Sequence, residues 1–175
     1  SKNLDYYQVC QASNLIKDFI KNDLSLWYVR RSRSRLELAS EDKEDRQDCL
    51  ETLYEVLLTL SRILAPFLPF LAEEIYQNLG EGLSVHLEDW PKQEKNLINQ
   101  DLEKKMVWVR EVCNQGHRLR KEAGIKVRQP LAKVYLRGGG VEILEKNLAR
   151  LIKEELNVKK VFLEKGGKEL EVKLD

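Results

Sequence analysis

The sequence predicts a mainly α-helical fold: a bundle of about five helices followed by a small α+β unit. Three observations carry that prediction. Apolar residues recur at helical spacing from the N-terminus to Gly124. From Leu131 onward the apolar runs shorten to strand length, punctuated by Gly138-Gly139-Gly140 and Gly166-Gly167. Finally, 42% hydrophobic residues in 175 positions suffice for a core without disulfides or metals. The predicted division is residues 1–124 for the helical bundle and 125–175 for the α+β unit.

The elements follow in chain order. Leu4, Ala12, Leu15, Ile16 and Phe19 form the stripe of a first helix, which Asp23-Leu24-Ser25 should end near Asn22 by offering fresh N-cap chemistry. A second helix, about Leu24 to Leu38, carries Trp27, Tyr28 and a run of arginines. Ser40–Asp48 is acidic and polar and reads as a loop. Cys49, Leu50, Leu53, Leu57, Leu60 and Leu64, broadened by Val56 and Ile63, make the wide stripe of a central helix. Pro66 and Pro69 break it, and Pro69 opens a helix over Phe70–Leu79 that Gly80 closes. Ser84–Pro91 reads as an extended crossing anchored by Trp90. A long helix spans about Gln100 to Ala123, with Leu102, Met106, Val109, Cys113 and Gly116 on one face and Gly124 as its stop. Leu131–Arg137 is a strand and Val141–Leu156 a helix. Val158–Glu164 and Lys168–Leu174 read as a hairpin turning at Gly166-Gly167.

Composition narrows the function. With 30 Lys+Arg against 29 Asp+Glu the net charge is +1, which excludes a uniformly basic binder but permits a basic face balanced by an acidic one. No apolar run is long enough to cross a membrane. Ser1–Asp5 has no features of a signal peptide, and the chain reads as a segment of something longer. Cys10, Cys49 and Cys113 lie far apart without a CxxC pair, so neither zinc nor disulfides are expected, and the setting is reducing and cytoplasmic.

Motifs for catalysis are missing: there is no GxGxxG, P-loop, GxSxG or HExxH. Gly138–Gly140 lacks the Gly-Lys-Ser/Thr of a phosphate loop and reads as a turn. Cys113 and His117 would share a helix face as a thiol–imidazole pair, but packing explains the cysteine more simply. The basic residues say more. Arg30, Arg31, Arg33 and Arg35 follow Trp27 and Tyr28 in one helix, and guanidinium groups pair with phosphate while aromatic rings stack on bases. The alternative is internal pairing with the acids of Glu41–Asp48. A second cluster, Arg110, Arg118, Arg120, Lys121, Lys126 and Arg128, faces only Glu111 and Glu122. Two arginine-rich stretches in a nearly neutral chain favour a phosphate-bearing partner.

Those same blocks carry a resemblance. Asp23-Leu24-Ser25-Leu26-Trp27-Tyr28-Val29-Arg30-Arg31-Ser32-Arg33 resembles the signature helix of the isoleucyl-tRNA synthetase anticodon-binding domain. Leu64-Ala65-Pro66-Phe67-Leu68-Pro69 through Tyr76, with Ser84-Val85-His86-Leu87 and Trp90-Pro91, is similar to a junction shared by class I synthetases for aliphatic amino acids. Gly124-Ile125-Lys126-Val127-Arg128-Gln129-Pro130-Leu131 and Glu155-Leu156-Asn157-Val158-Lys159 point to the isoleucine branch. The resemblance implies recognition of the anticodon arm of isoleucine tRNA, as part of an ATP-dependent isoleucine–tRNA ligase. It implies no cofactor in this segment, with ATP and Mg belonging to the full-length enzyme. His-Ile-Gly-His and Lys-Met-Ser-Lys-Ser are absent, so the segment by itself is expected to be non-catalytic. The expected partners are that tRNA and the remainder of the synthetase chain. Candidate RNA contacts are Trp27, Tyr28, Arg30, Arg31, Arg33 and Arg35 on one surface, and Arg118, Arg120, Lys121, Lys126 and Arg128 on another. Two alternatives stand beside this reading: a protein–protein module docking an acidic partner, and a thiol enzyme using Cys113 and His117.

Overall fold

A computed structural model describes residues 2–37, 42–80, 82–138, 145–164 and 171–175. It bears out the mainly helical fold with a small α+β part, but it divides the chain differently from the expected boundary at residue 124. The two compact units are Ser1–Gln93 and Glu94–Asp175. The long helix Gln100–Glu122 belongs to the second because its buried stripe, Val109, Val112, Cys113, Gly116 and Arg120, packs on the elements that follow it.

In the first unit a short helix α1 (Lys2–Asp5) precedes α2 (Val9–Asp18), a π-helical stretch (Phe19–Val29) and α3 (Arg30–Leu36). The expected break at Asn22 does not occur: backbone at Phe19 and Arg30 stays helical. Burial of Ile16, Ile20, Leu24, Tyr28 and Val29 on one core favours continuation over the cap chemistry of Asp23 and Ser25. Their four- and five-residue spacing suits the wider i→i+5 turn. Helix α4 (Lys43–Leu64) starts earlier than the expected loop allows. The Asp42 carboxylate caps it by accepting the Asp45 N–H at 2.9 Å, and Glu44 and Asp45 favour the positive end of the helix. Pro69 does open α5 (Pro69–Leu79).

The core of this unit is Leu24, Leu60, Leu64, Ala72, Tyr76 and Val85, each large aliphatic side chain contributing about 1.5–3 kcal/mol on full burial. Ser84–Pro91 is not simply extended: Val85–Leu87 forms a 3-10 turn capped by Ser84 Oγ. Its anchor is Val85, 3% exposed, rather than Trp90, 41% exposed. Glu73 on α5 holds this segment by accepting from Ser84 Oγ and the Val85 N–H, each at 2.9 Å. Glu88 holds it again, accepting from the Tyr76 hydroxyl at 2.7 Å and pairing with Arg62 at 2.9 Å.

The second unit contains α6 (Gln100–Glu122), β1 (Leu131–Arg137), α7 (Lys146–Glu155), β2 (Val158–Glu164) and β3 (Glu171–Leu174). Asn99 caps α6 by accepting the Leu102 N–H at 3.0 Å, and Gly124 follows its end with φ +68°. The order in the sheet is β2-β1-β3, with β2 parallel and β3 antiparallel to β1. The expected hairpin between the last two strands is therefore a correction: β3 pairs with β1, and Gly166-Gly167 lie outside the described residues. The most buried strand takes the centre, with Val134 and Leu136 at 0% exposure, while the lysine-bearing β2 goes to an edge. Gly139, Gly140 and residues 141–144 of the expected turn and helix also lie outside the described residues.

Candidate nucleic-acid interface

The arginines of α3 occupy different faces of one helix. Arg30 and Arg33 are exposed, and the Arg30 Nε–H donates back to the Leu26 carbonyl at 2.8 Å, turning the guanidinium along the helix surface. The Arg31 guanidinium lies over the half-buried Trp27 ring, 5.3 Å from its centroid. The contact is a cation–π pair. Two neighbours serve other purposes. Tyr28 turns inward, packs on the core and donates its hydroxyl to Cys49 Sγ at 3.7 Å, and burial raises its pKa. Arg35 grips Asp45 bidentately, at 2.6 and 2.7 Å, and adds the Asp45 carbonyl at 3.3 Å. Internal pairing with the acids near α4, an alternative raised by the sequence, thus holds for Arg35. Tyr28 and Arg35 are corrected to structural roles: one fills the core and the other ties α3 to α4.

The second cluster divides more sharply. Arg120 is 1% exposed and fully engaged. Its Nε and Nη2 donate to the Leu156 carbonyl at 3.0 and 2.6 Å, and Nη2 also reaches Asn157 O at 3.1 Å. Its Nη1 donates to Lys126 O at 3.1 Å and Gln129 O at 3.0 Å. Burial lowers its pKa, and the carbonyl oxygens take the place of a counter-ion. An arginine so enclosed cannot reach a phosphate, so Arg120 is a correction: it is the hub on which residues 124–130 fold. Asn157, in a left-handed conformation with φ 48°, completes that hub by donating Nδ2 to Val127 O at 2.9 Å. Asparagine tolerates this geometry better than most side chains. Arg118, Lys121, Lys126 and Arg128 remain exposed, with Arg118 3.7 Å from Glu122 on the same helix.

The thiol-enzyme arrangement does not form. Cys113 is 2% exposed, and His117 turns to the buried Glu155 carboxylate at 3.1 Å. Among the described residues no group of three His, Cys, Asp or Glu is placed to hold a metal, and no helix is long and apolar enough to cross a membrane. One feature escaped the sequence reading altogether, the face of the sheet that carries Tyr135, Phe162 and three lysines. Period-two alternation along β1 and β2 was the signal that could have found it.

Residues 1–136 match the family model described as the anticodon-binding domain of tRNA ligase. The chain is 42% identical over 166 residues to the isoleucine–tRNA ligase of Clostridium tetani, covering 91% of this chain and 16% of that protein. It is 51% identical over 145 residues to the isoleucine–tRNA ligase of Chlamydia pneumoniae, covering 81% and 14% respectively. To that of Dehalococcoides mccartyi it is 44% identical over 174 residues, covering 95% and 17%. The chain thus spans about a sixth of the length of the curated relatives it matches.

Proposed function

Because the chain belongs to the family of anticodon-binding domains of tRNA ligases, we propose that it holds the anticodon arm of isoleucine tRNA for a cytoplasmic isoleucine–tRNA ligase. The observation that carries the reading is the family match itself, which takes in both the arginine helix and the second basic cluster. On this reading Arg30 and Arg33 meet phosphates and fix register, and an unpaired base stacks against the Trp27–Arg31 pair. Arg118, Lys121, Lys126 and Arg128 supply further phosphate contacts. ATP-dependent activation of the amino acid and any Mg requirement belong to the rest of the ligase chain. That remainder is also the partner suited to the exposed apolar residues of this unit, among them Tyr7 at 90% and Phe70 at 91% exposure.

Binding of isoleucine tRNA and of a second tRNA, each at two salt concentrations, tests the proposal. A preference for the isoleucine tRNA that survives the higher salt is expected. Equal affinity for both at every salt concentration would leave only a non-specific basic surface and overturn it.

A further inference from the structure

The sheet of the second unit carries a surface that the arginine helix does not explain. Its helix-facing side holds the buried Val134, Leu136 and Val172. Alternation along the strands sends Lys133 and Tyr135 of β1, Lys160 and Phe162 of β2, and Lys173 of β3 to the opposite side. Register then places Tyr135 directly between Phe162 on one side and Lys173 on the other, and Lys133 beside Lys160. The two rings are stacked, with centroids 5.4 Å apart and planes inclined by 22°. Phe162 stays 39% exposed on an edge strand, and among the described residues no further strand lies beside the outer side of its ring. Lys160 and Lys173 are exposed, while Lys133 lies 3.5 Å from Asp175. The Tyr135 hydroxyl, and after it Asp175, raise the Lys133 pKa and keep its ammonium charged.

We propose that this face binds single-stranded RNA, an unpaired base extending the Tyr135–Phe162 stack while Lys160 and Lys173 meet the adjoining phosphates. The proposal stands independently of anticodon recognition by the arginine helix. Stacking accepts any base, since each has a flat π-face, and positive charge around the rings complements a phosphate chain. A duplex offers no free base face and is excluded on the same grounds. Edge-strand lysines also discourage strand pairing between molecules. If that were their whole role, removing them would leave RNA affinity unchanged.

The test uses labelled oligoadenylate, alone and annealed to oligouridylate, with fluorescence anisotropy at several salt concentrations. Phe162→Leu keeps the apolar bulk and removes the ring; it should weaken single-strand binding by about 5-fold or more. Lys160→Gln with Lys173→Gln should lower the slope of log K against log salt by about 1.4, two phosphate contacts at about 0.7 each. Ultraviolet cross-linking should attach the oligonucleotide to the peptide that contains Phe162. Wild-type affinity and slope in both variants, or equal binding of the duplex, would overturn the proposal. Should Phe162→Leu also lower thermal stability, the lysine variants, at exposed positions, and the cross-link decide. Arg30→Gln with Arg33→Gln, measured on isoleucine tRNA in parallel, separates the two surfaces. Loss there, together with wild-type oligoadenylate binding in Phe162→Leu and the lysine variants, would sink this inference and leave the anticodon reading standing.

Discussion

Arg120→Lys should strongly destabilise the second unit, because a retained positive charge cannot replace the geometry of the guanidinium. The native side chain makes five hydrogen bonds to four carbonyls, those of Leu156, Asn157, Lys126 and Gln129. An ammonium has three donors radiating from one atom, so at least two bonds are lost whatever rotamer it adopts. At about 1.5–3 kcal/mol for each hydrogen bond from a charged donor, the loss is about 3–6 kcal/mol before relaxation. Arg120→Met removes the cation and recovers its desolvation, but strands the carbonyls. Asn157 O keeps the Leu131 N–H at 3.1 Å and Lys126 O keeps the Gln129 N–H at 2.9 Å, so their loss is partial. The carbonyls of Leu156 and Gln129 leave a deficit of about 2–6 kcal/mol.

Urea unfolding measures this, provided the readout belongs to the second unit, since a chain of two compact units need not unfold in one step. Amide exchange at Val134 and Leu136, in the central strand, meets that requirement. With an m-value of about 1.5 kcal/mol/M, a loss of about 3 kcal/mol lowers the midpoint by about 2 M. If Arg120→Lys leaves those amides protected as in the wild type while tRNA affinity falls, the carbonyl-cage account is wrong and Arg120 returns to the RNA surface.

Three further outcomes follow from the geometry. Arg35→Gln should cost about 1 kcal/mol in the first unit, the discounted worth of a half-exposed bidentate pair, with the salt slope of RNA binding unchanged; Arg33→Gln, at an exposed position, should do the reverse, preserving the melting temperature while lowering the slope by about 0.7–0.9. Burial works to raise the Glu73 pKa, but hydrogen bonds from Gln77, Ser84 and Val85 outweigh it, and the net shift is downward from 4.5. A lowered carboxylate pKa supplies stability that is present above the unfolded value and lost as pH falls through the folded one, so acid melting profiles of wild type and Glu73→Gln should draw together as pH falls from 4.5 through that lowered value. A Cβ on Gly116 would sit 2.6 Å from both Leu156 Cδ atoms, so Gly116→Ala should cost about 1–3 kcal/mol, and calorimetry should find that cost reduced when Leu156 is shortened to Ala.

The fold was legible wherever periodicity and punctuation agreed. Leu131–Arg137 and Val158–Glu164 were read with their observed bounds, and Pro69 and Gly124 mark the helix ends they were expected to mark. Long-range choices were not legible. Asp23 and Ser25 offer genuine cap chemistry, yet the chain stays helical through Leu24 because a core formed by α4 and α5 accepts that side chain. The sheet order was hidden for the same reason. Gly166-Gly167 signals a local turn, whereas pairing of β3 with β1 depends on which strand is most apolar, a comparison between distant segments.

Among the charged residues, composition identified two basic stretches but could not sort their members, and here the helical period held more information than it was asked for. Val109, Cys113, Gly116 and Arg120 advance by four, three and four residues, so the stripe that marks the core of α6 runs straight into an arginine. An arginine at such a position must find carbonyls or carboxylates inside, and the loop directly after Gly124 supplies two of the four carbonyls. In the Lys126–Pro130 block the backbone encloses Arg120, while the side chains at Lys126 and Arg128 remain exposed, available to the proposed phosphate contacts. The same division operates on α3, where Ser32 is 3% exposed and the neighbouring Arg33 faces solvent. Counting arginines marks the basic stretches; placing each on its helix relative to the buried stripe decides which of them are open to the proposed RNA contacts.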